Sequence, residues 1–586
     1  MFQSIIKRTL GGRRLMPKLL LTLVATTMML MTASRAYADF GAGIVHSQLV
    51  SEAPSKNVPR VVDGRVWAIA QWGDLVVVGG QFSRVRVAGG AILERSNIFA
   101  FWRSSGAIDR RFAPDINRSV RAIAVDPEGR GLFVGGQFTQ VNGDRRRGLV
   151  FLNREGDRIR NWSGRPNGPV YDLAVRGNQL YVGGGFTKLS GIARSALGTV
   201  NIATGKESSE STIRFSDPRN QEFRGTLEVR RFEVSPDSNT LVAIGNFRFV
   251  DGLYREQVVV LDIGSSPDRV SNWSTSFFER ECNGGTSVWP YYVRDVSISP
   301  DGSYFAVATV GGPQIDTYHP CDVAARFELN NGGNQIPTWV QFSGGDSILS
   351  VEATGNAVYL GGHFRWLDNA FGFNEAGFGA VARGTIAAVN PQTGSLLDWN
   401  PGRDPRGQGV LVMEASQDGL WIGHDTGRVN DRFAPRIAHF SLPDPGGFPD
   451  PGGFPDPGGF PDPVEPDPIV AQITSPTSLG DAGAVTLAGT ATSSSAIVSV
   501  TGTLTDSAGR YLQPDGVFRP GFAQIDLNVD GLGASSVAFS ATTRALAAGS
   551  YLFSIDIVDD FGREGATERA FTLQDSGVTI IRFGAR

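Results

Sequence analysis

The chain has 586 residues, too many for one ordinary hydrophobic core, and its 74 Gly and 32 Pro suit a turn-rich β protein. Its net charge is −4 and beyond residue 38 it has no basic block, which argues against nucleic acid as a partner, because phosphates demand clustered Lys and Arg. Two or more folded units are expected.

Residues 1–38 contain six Lys or Arg and no Asp or Glu. Lys7, Arg8, Arg13, Arg14 and Lys18 precede an apolar run from Leu19 to Met31, and Ala36-Tyr37-Ala38 supplies an A-x-A cleavage pattern. This stretch reads as a secretory signal peptide; the apolar run is short for a bilayer span, so a retained anchor is the lesser reading. Its removal takes the net charge to −10, with 48 basic against 58 acidic residues. A secreted, periplasmic or cell-surface address is expected, with no transmembrane segment after cleavage. In an oxidising compartment Cys282 and Cys321, the two cysteines, are expected to form one disulfide; free or metal-binding thiols are the alternative.

From residue 39 to 442 one phrase returns. Val78-Gly79-Gly80-Gln81-Phe82 is followed by Val134-Gly135-Gly136-Gln137-Phe138, Val182-Gly183-Gly184-Gly185-Phe186 and Leu360-Gly361-Gly362-His363-Phe364. Weaker copies are Ile244-Gly245-Asn246-Phe247, Val310-Gly311-Gly312 and Ile422-Gly423-His424. Each copy follows an alternating strand that starts at Val66, Val120, Val170, Val229, Val293, Ile348 or Val410, which makes seven starts separated by 50 to 64 residues. A third strand follows, then a fourth carrying Phe112, Trp162, Phe215, Trp273, Trp339 or Trp399. Four short strands per unit at this period describe a seven-bladed β-propeller. The glycines mark close backbone approach, and the Phe and Trp rings are expected to wedge between blades. The seventh unit lacks its fourth strand, and Ile44 to Val50 is expected to supply it and close the ring. Two insertions, Glu279 to Tyr292 with Gln314 to Cys321, and Asp368 to Arg383, interrupt units five and six.

The Val-Gly-Gly-x-Phe phrase resembles secreted bacterial propellers built of delta-type repeats of about sixty residues, and is similar to Kelch repeats. The resemblance covers residues 41–442 and implies a fold and an exported location, with no catalytic motif to transfer. Residues 443–463 repeat Pro-Asp-Pro-Gly-Gly-Phe, and 443–468 form a Pro/Gly-rich linker. From 469 to 576 alternating strands describe a β-sandwich that looks like the Ig-like modules of bacterial surface proteins. Its Asp559-Asp560-Phe561-Gly562 turn could hold Ca²⁺, though a solvated turn is the favoured reading. Residues 577–586 are a short tail.

No nucleophile elbow, P-loop, H-E-x-x-H or dinucleotide fingerprint is present, and no catalytic residue or cofactor is assigned. Tyr318-His319 looks like the ligand pair of copper radical oxidases of the galactose oxidase type, but residues 469–586 contain no His to complete that site. The residues after the glycines, Gln81, Gln137, Asn246, His363 and His424, would form a ring of polar groups if their loops lie on the ligand-bearing face. Alternatively each satisfies turn backbone in its own unit. The expected function is an exported, non-enzymatic binding or adhesion protein whose propeller face engages an envelope or matrix glycan, peptide or protein. The alternatives are a polysaccharide hydrolase or lyase with carboxylates at the ring's centre, a copper radical oxidase, and a purely structural envelope protein.

Overall fold

The computed structural model describes residues 43–443 except 88–90, 220–224, 283–289 and 315–316. It also describes residues 469–579 except 476–483, 494–495, 509, 514–515, 520–522, 544–545, 548, 560–563 and 575–576. The expected signal peptide (1–38), the linker beyond Pro443, the Asp560-Phe561-Gly562 turn with its Ca²⁺ reading, and the tail beyond 579 lie outside the described residues. The described chain is all-β, with many small antiparallel sheets and no α-helix among the described residues.

Seven sheets follow one another along residues 65–441, each opening with an inner strand, a middle strand and an outer strand in antiparallel order. The inner strands are Arg65–Trp72, Val120–Val125, Val170–Arg176, Glu228–Val234, Val293–Ile298, Ile348–Ala353 and Val410–Ser416. Each lies against the inner strand of the next sheet, and that of the seventh lies back against that of the first.

The glycine pair explains how closely the sheets approach. A Cβ on Gly79 would come within 2.5 Å of Val120, one on Gly135 within 2.6 Å of Val170, and one on Gly183 within 2.7 Å of Phe232. The same position in the seventh sheet, Gly423, would meet Val66 of the first at 2.7 Å. A side chain at any of these points would push neighbouring sheets apart. The aromatic rings fill the remaining seam. Trp162 donates its indole N–H to Ile202 O (3.0 Å), Trp273 to Glu328 O (3.0 Å) and Trp339 to Pro391 O (2.8 Å), each in the following sheet's unit. Trp399 donates to Ser51 O at 3.3 Å. All four rings are buried, each worth roughly 1.5–3 kcal/mol of apolar burial, and the indole N–H is satisfied at no cost to packing.

Two expectations need correction. Among the described residues only the fourth and fifth sheets have a fourth strand, Arg269–Val270 and Trp339–Phe342. In the first, second, third and sixth sheets it shrinks to single bridges, Phe101 with Ile108, Leu152 with Arg158, Val200 with Glu207 and Val389 with Leu396. Each bridge closes a tight turn that carries Gly106, Gly156, Gly205 or Gly394 at positive φ, a conformation glycine adopts at no steric cost. The N-terminal segment that bonds to the outer strand of the seventh sheet also lies further along than Ile44 to Val50, and it forms no strand of that sheet. Ser51 N donates to Ser441 O and Ser55 N to His439 O, while His46 bridges Gly355 in the sixth sheet's hairpin.

Cys282 and Cys321 form a disulfide that ties the two insertions of the fifth unit. In the insertion of the sixth unit Asn369 is the organiser: its amide donates to Ser343 O and Glu375 O and accepts from Gly377 N. Residues 469–579 form two further sheets, one of four strands and one of six, which share a single core including Val485, Leu487, Phe539, Phe553 and Ile555. No helix among the described residues is long and apolar enough to cross a membrane.

Candidate functional site

Near the start of every inner strand, pairing with the middle strand skips one residue. The skipped residues are Trp67, Arg121, Tyr171, Arg230, Arg294, Leu349 and Leu411. The residue before each is the buried Val or Ile that occupies the glycine notch of the preceding sheet or packs in its place. A bulge frees its extra residue from the strict in-and-out alternation and re-aims the side chain. Here all seven point to one place: together with Arg231 they line a single pocket of about 70 Å³. We refer to this end as the mouth.

The mouth is strongly cationic. The Arg121 guanidinium carbon sits 3.2 Å from the centre of the Trp67 ring, Arg230 lies 5.3 Å over Tyr171, and Arg294 lies 4.4 Å over Tyr291. Arg65 adds a fourth charge, 5.5 Å from Trp67. Burial, then the charges of Arg230, Arg231 and Arg65, push Arg121 down to about 9 against the partial pull of Tyr171. The nearby carboxylate, Glu228, is engaged by the Tyr291 hydroxyl.

Arg231, one residue beyond the bulge, lies between the mouth and a larger cavity of about 370 Å³. It donates to Trp67 O (3.4 Å) and pairs with Asp172 (3.6 Å) and Asp295 (3.7 Å), so it spans the first, third and fifth sheets. Behind it the inner strands collect Asp172, Glu233, Asp295, Glu352 and Glu414. Four of these are tied to the next sheet's backbone: Asp172 accepts from Phe232 N (2.8 Å), Glu233 from Ile298 N (2.7 Å), Asp295 from Val351 N (3.1 Å) and Glu352 from Ala415 N (2.9 Å). Glu414 accepts no hydrogen bond from the described residues. The equivalent positions in the first two sheets are Ala68, Ala70, Ala122 and Ala124, and those small side chains leave the cavity open on that side.

Burial raises all five carboxyls. Asp295 is pushed up to about 6, with Arg231 pulling against the burial. Glu233, Glu352 and Glu414 are raised well above the usual range by burial and then by the other carboxylates. Asp172 is also raised by burial, in spite of Arg231. Arg231 is raised because Asp172, Asp295 and Glu414 together outweigh the burial that opposes its charge.

The five polar residues named from the sequence stand at the mouth's end of the sheets, one layer outside it. Gln81 is exposed and lies opposite Arg65. Gln137 accepts from Ser119 Oγ (3.0 Å) and Arg121 Nη2 (3.5 Å). Asn246 is fully buried, accepts from Arg219 N (2.8 Å) and donates to Thr226 O (2.9 Å). His363 Nδ1 lies 3.2 Å from Gln408 O. His424 is fully buried, receives Thr426 N–H at 3.3 Å, and is pushed well below the usual imidazole range by burial, Arg403 and Arg436. Four of the five thus contact backbone or lie in register with it, and Gln137 alone reaches a residue of the pocket.

For the copper radical reading, Tyr318 is exposed and His319 is buried with Nδ1 accepting Cys321 N–H at 3.2 Å. Both cysteines are consumed by the disulfide, so neither can cross-link to a tyrosine. Among the described residues no group of three or more His, Cys, Asp or Glu is placed to hold a metal ion. No protein-family model matches this chain, and neither does any curated protein.

Proposed function

We propose that residues 39–442 are a seven-bladed β-propeller, followed at 469–576 by an Ig-like β-sandwich, and that the protein is an exported, non-enzymatic binding protein. Its ligand, a glycan, peptide or protein of the envelope or matrix, is engaged at the mouth. The observation that carries this reading is the convergence of all seven bulged residues on one pocket, with two aromatic faces and three arginines among them. The notch of Gly423 on Val66 and the Trp399 bond to Ser51 support the closed ring.

The test is glycan-array and pull-down binding by the full exported chain, compared with Trp67→Ala and Tyr171→Ala. Aromatic and Arg anchors carry most of the energy at such sites, so each variant should weaken saturable binding by about tenfold or more. Unchanged binding in both variants would remove the mouth as the ligand face. The hydrolase or lyase reading has one observation in its favour, the unbonded Glu414 facing the cavity. The other four carboxylates hold backbone N–H groups, which suits them to joining sheets rather than to moving protons. Turnover of an extracellular polysaccharide that Glu414→Gln abolishes would decide for that alternative.

A further inference from the structure

We propose that the mouth holds one tetrahedral oxyanion, a phosphate or sulfate group that is free or esterified to a sugar, at Arg121 and Arg230. This rests on the reading of the mouth as the ligand-bearing end.

Three observations carry it. The first is excess positive charge. Arg65, Arg121 and Arg230 gather at the mouth against the single charge of the neighbouring carboxylate Glu228, to which the Tyr291 hydroxyl donates. The second is unspent hydrogen bonding. The Arg230 guanidinium makes no hydrogen bond or ion pair with a described residue. Arg121 Nε is buried without a partner, and Arg121 Nη2 has only the long contact with Gln137. Leaving a buried donor unpaired costs free energy, and the buried Arg121 Nε beside the half-buried, unbonded Arg230 guanidinium marks a place where an acceptor is missing. The third is preorganisation. Stacking on Trp67 and Tyr171 occupies a face of each guanidinium, so the N–H groups are presented at its edge.

The pocket has room for a single small group rather than a sugar ring. A doubly charged tetrahedral anion relieves the repulsion among these cations more than a carboxylate does, and its oxygens suit several forks at once. Arg231 forms the floor of the pocket, and its own charge is matched from below by Asp172 and Asp295, so it admits an anion without demanding one.

The experiment uses the full exported chain at pH 7 and low ionic strength, following thermal unfolding and calorimetric binding with inorganic phosphate, sulfate, a sugar phosphate and acetate. Phosphate and sulfate should raise Tm saturably and acetate should not. Tighter binding of the sugar phosphate than of inorganic phosphate would assign the group to a glycan, and the reverse order to the free ion. Arg230→Gln and Arg121→Gln should each weaken phosphate by about tenfold or more while leaving the phosphate-free Tm unchanged or raised, because a repelling charge is removed. A merely structural arginine would lower that Tm when replaced.

No saturable phosphate response, or a response kept in both variants, overturns the proposal. Binding of an uncharged glycan or peptide that Trp67→Ala abolishes, without any phosphate response, overturns the anion site and leaves the wider reading standing. A phosphate response lost in Arg230→Gln, with no macromolecular or glycan ligand found, supports the anion site and removes the wider reading.

Discussion

The mouth and the cavity behind it are built from the same seven strands, one to three residues apart, and both concentrate charge of one sign. They differ in what that charge is bonded to. Behind Arg231, Asp172, Glu233, Asp295 and Glu352 each accept an N–H from the neighbouring sheet, and the cation is shared among three carboxylates. At the mouth, Arg230 has no such partner and Arg121 has one weak one. Clustering of charge alone therefore does not mark a binding site. A cluster whose hydrogen bonds are spent joins the fold together, and one in which two guanidinium groups keep hydrogen bonds to spare is where a ligand is proposed.

The largest effect should come from the hub. Arg231→Met leaves buried carboxylates without their cation and should cost about 3–5 kcal/mol at pH 7, read by urea unfolding. The loss should shrink towards pH 4.5. These carboxyls have folded-state pKa values above their unfolded ones, Asp295 at about 6, so the stability they supply is full below about pH 4 and is lost as pH rises through the folded value. A loss that stays constant with pH would show that the acids are not what Arg231 compensates.

Glu414→Gln should act in the opposite direction. With no hydrogen bond to lose and a pKa raised well above the usual range, removing its charge should stabilise the protein by about 1–3 kcal/mol at pH 7. It should be neutral at pH 4, where the carboxyl is protonated in both states. His439, pushed down to about 4, and His424 have depressed values, so their contribution is lost as pH falls through them, and the variant separates the two trends. Destabilisation by Glu414→Gln at pH 7 would place Glu414 among the committed carboxylates.

Much of the architecture was legible because packing imposed it on residue type. The notch at Gly79, Gly135 and Gly423 admits no Cβ, and the seam prefers a ring with one donor, so glycine and tryptophan recur at a readable period. The short fourth strand was not legible, since Ile108, Arg158, Glu207 and Leu396 share no residue type and a single bridge needs none. The mouth escaped for the same reason. Its positions hold Trp, Arg, Tyr, Arg, Arg, Leu and Leu, and what they share is a skipped backbone pairing. The available signal was the residue after the buried Val or Ile of each inner strand, which is an arginine or an aromatic in five of the seven. Gln81, Gln137, Asn246, His363 and His424 stand at the same end of the sheets as the mouth but a layer further out, because the bulge turns the inner strand's own side chain inward.

The smallest effect is also the most direct measure of the difference between the two regions. A double-mutant cycle on Arg121→Gln and Arg230→Gln should show repulsive coupling of about 0.5 kcal/mol in the absence of anions, since each single change relieves the same repulsion and the pair relieves it once. Added phosphate should reverse the sign, because both guanidinium groups then share one ligand. A cycle on Arg231→Met and Asp172→Asn should be attractive throughout and indifferent to phosphate, because that pair lies beneath the floor. Attractive coupling between Arg121 and Arg230 without anions would mean that the protein already balances their charge, and the distinction between spent and unspent arginines would fall with it.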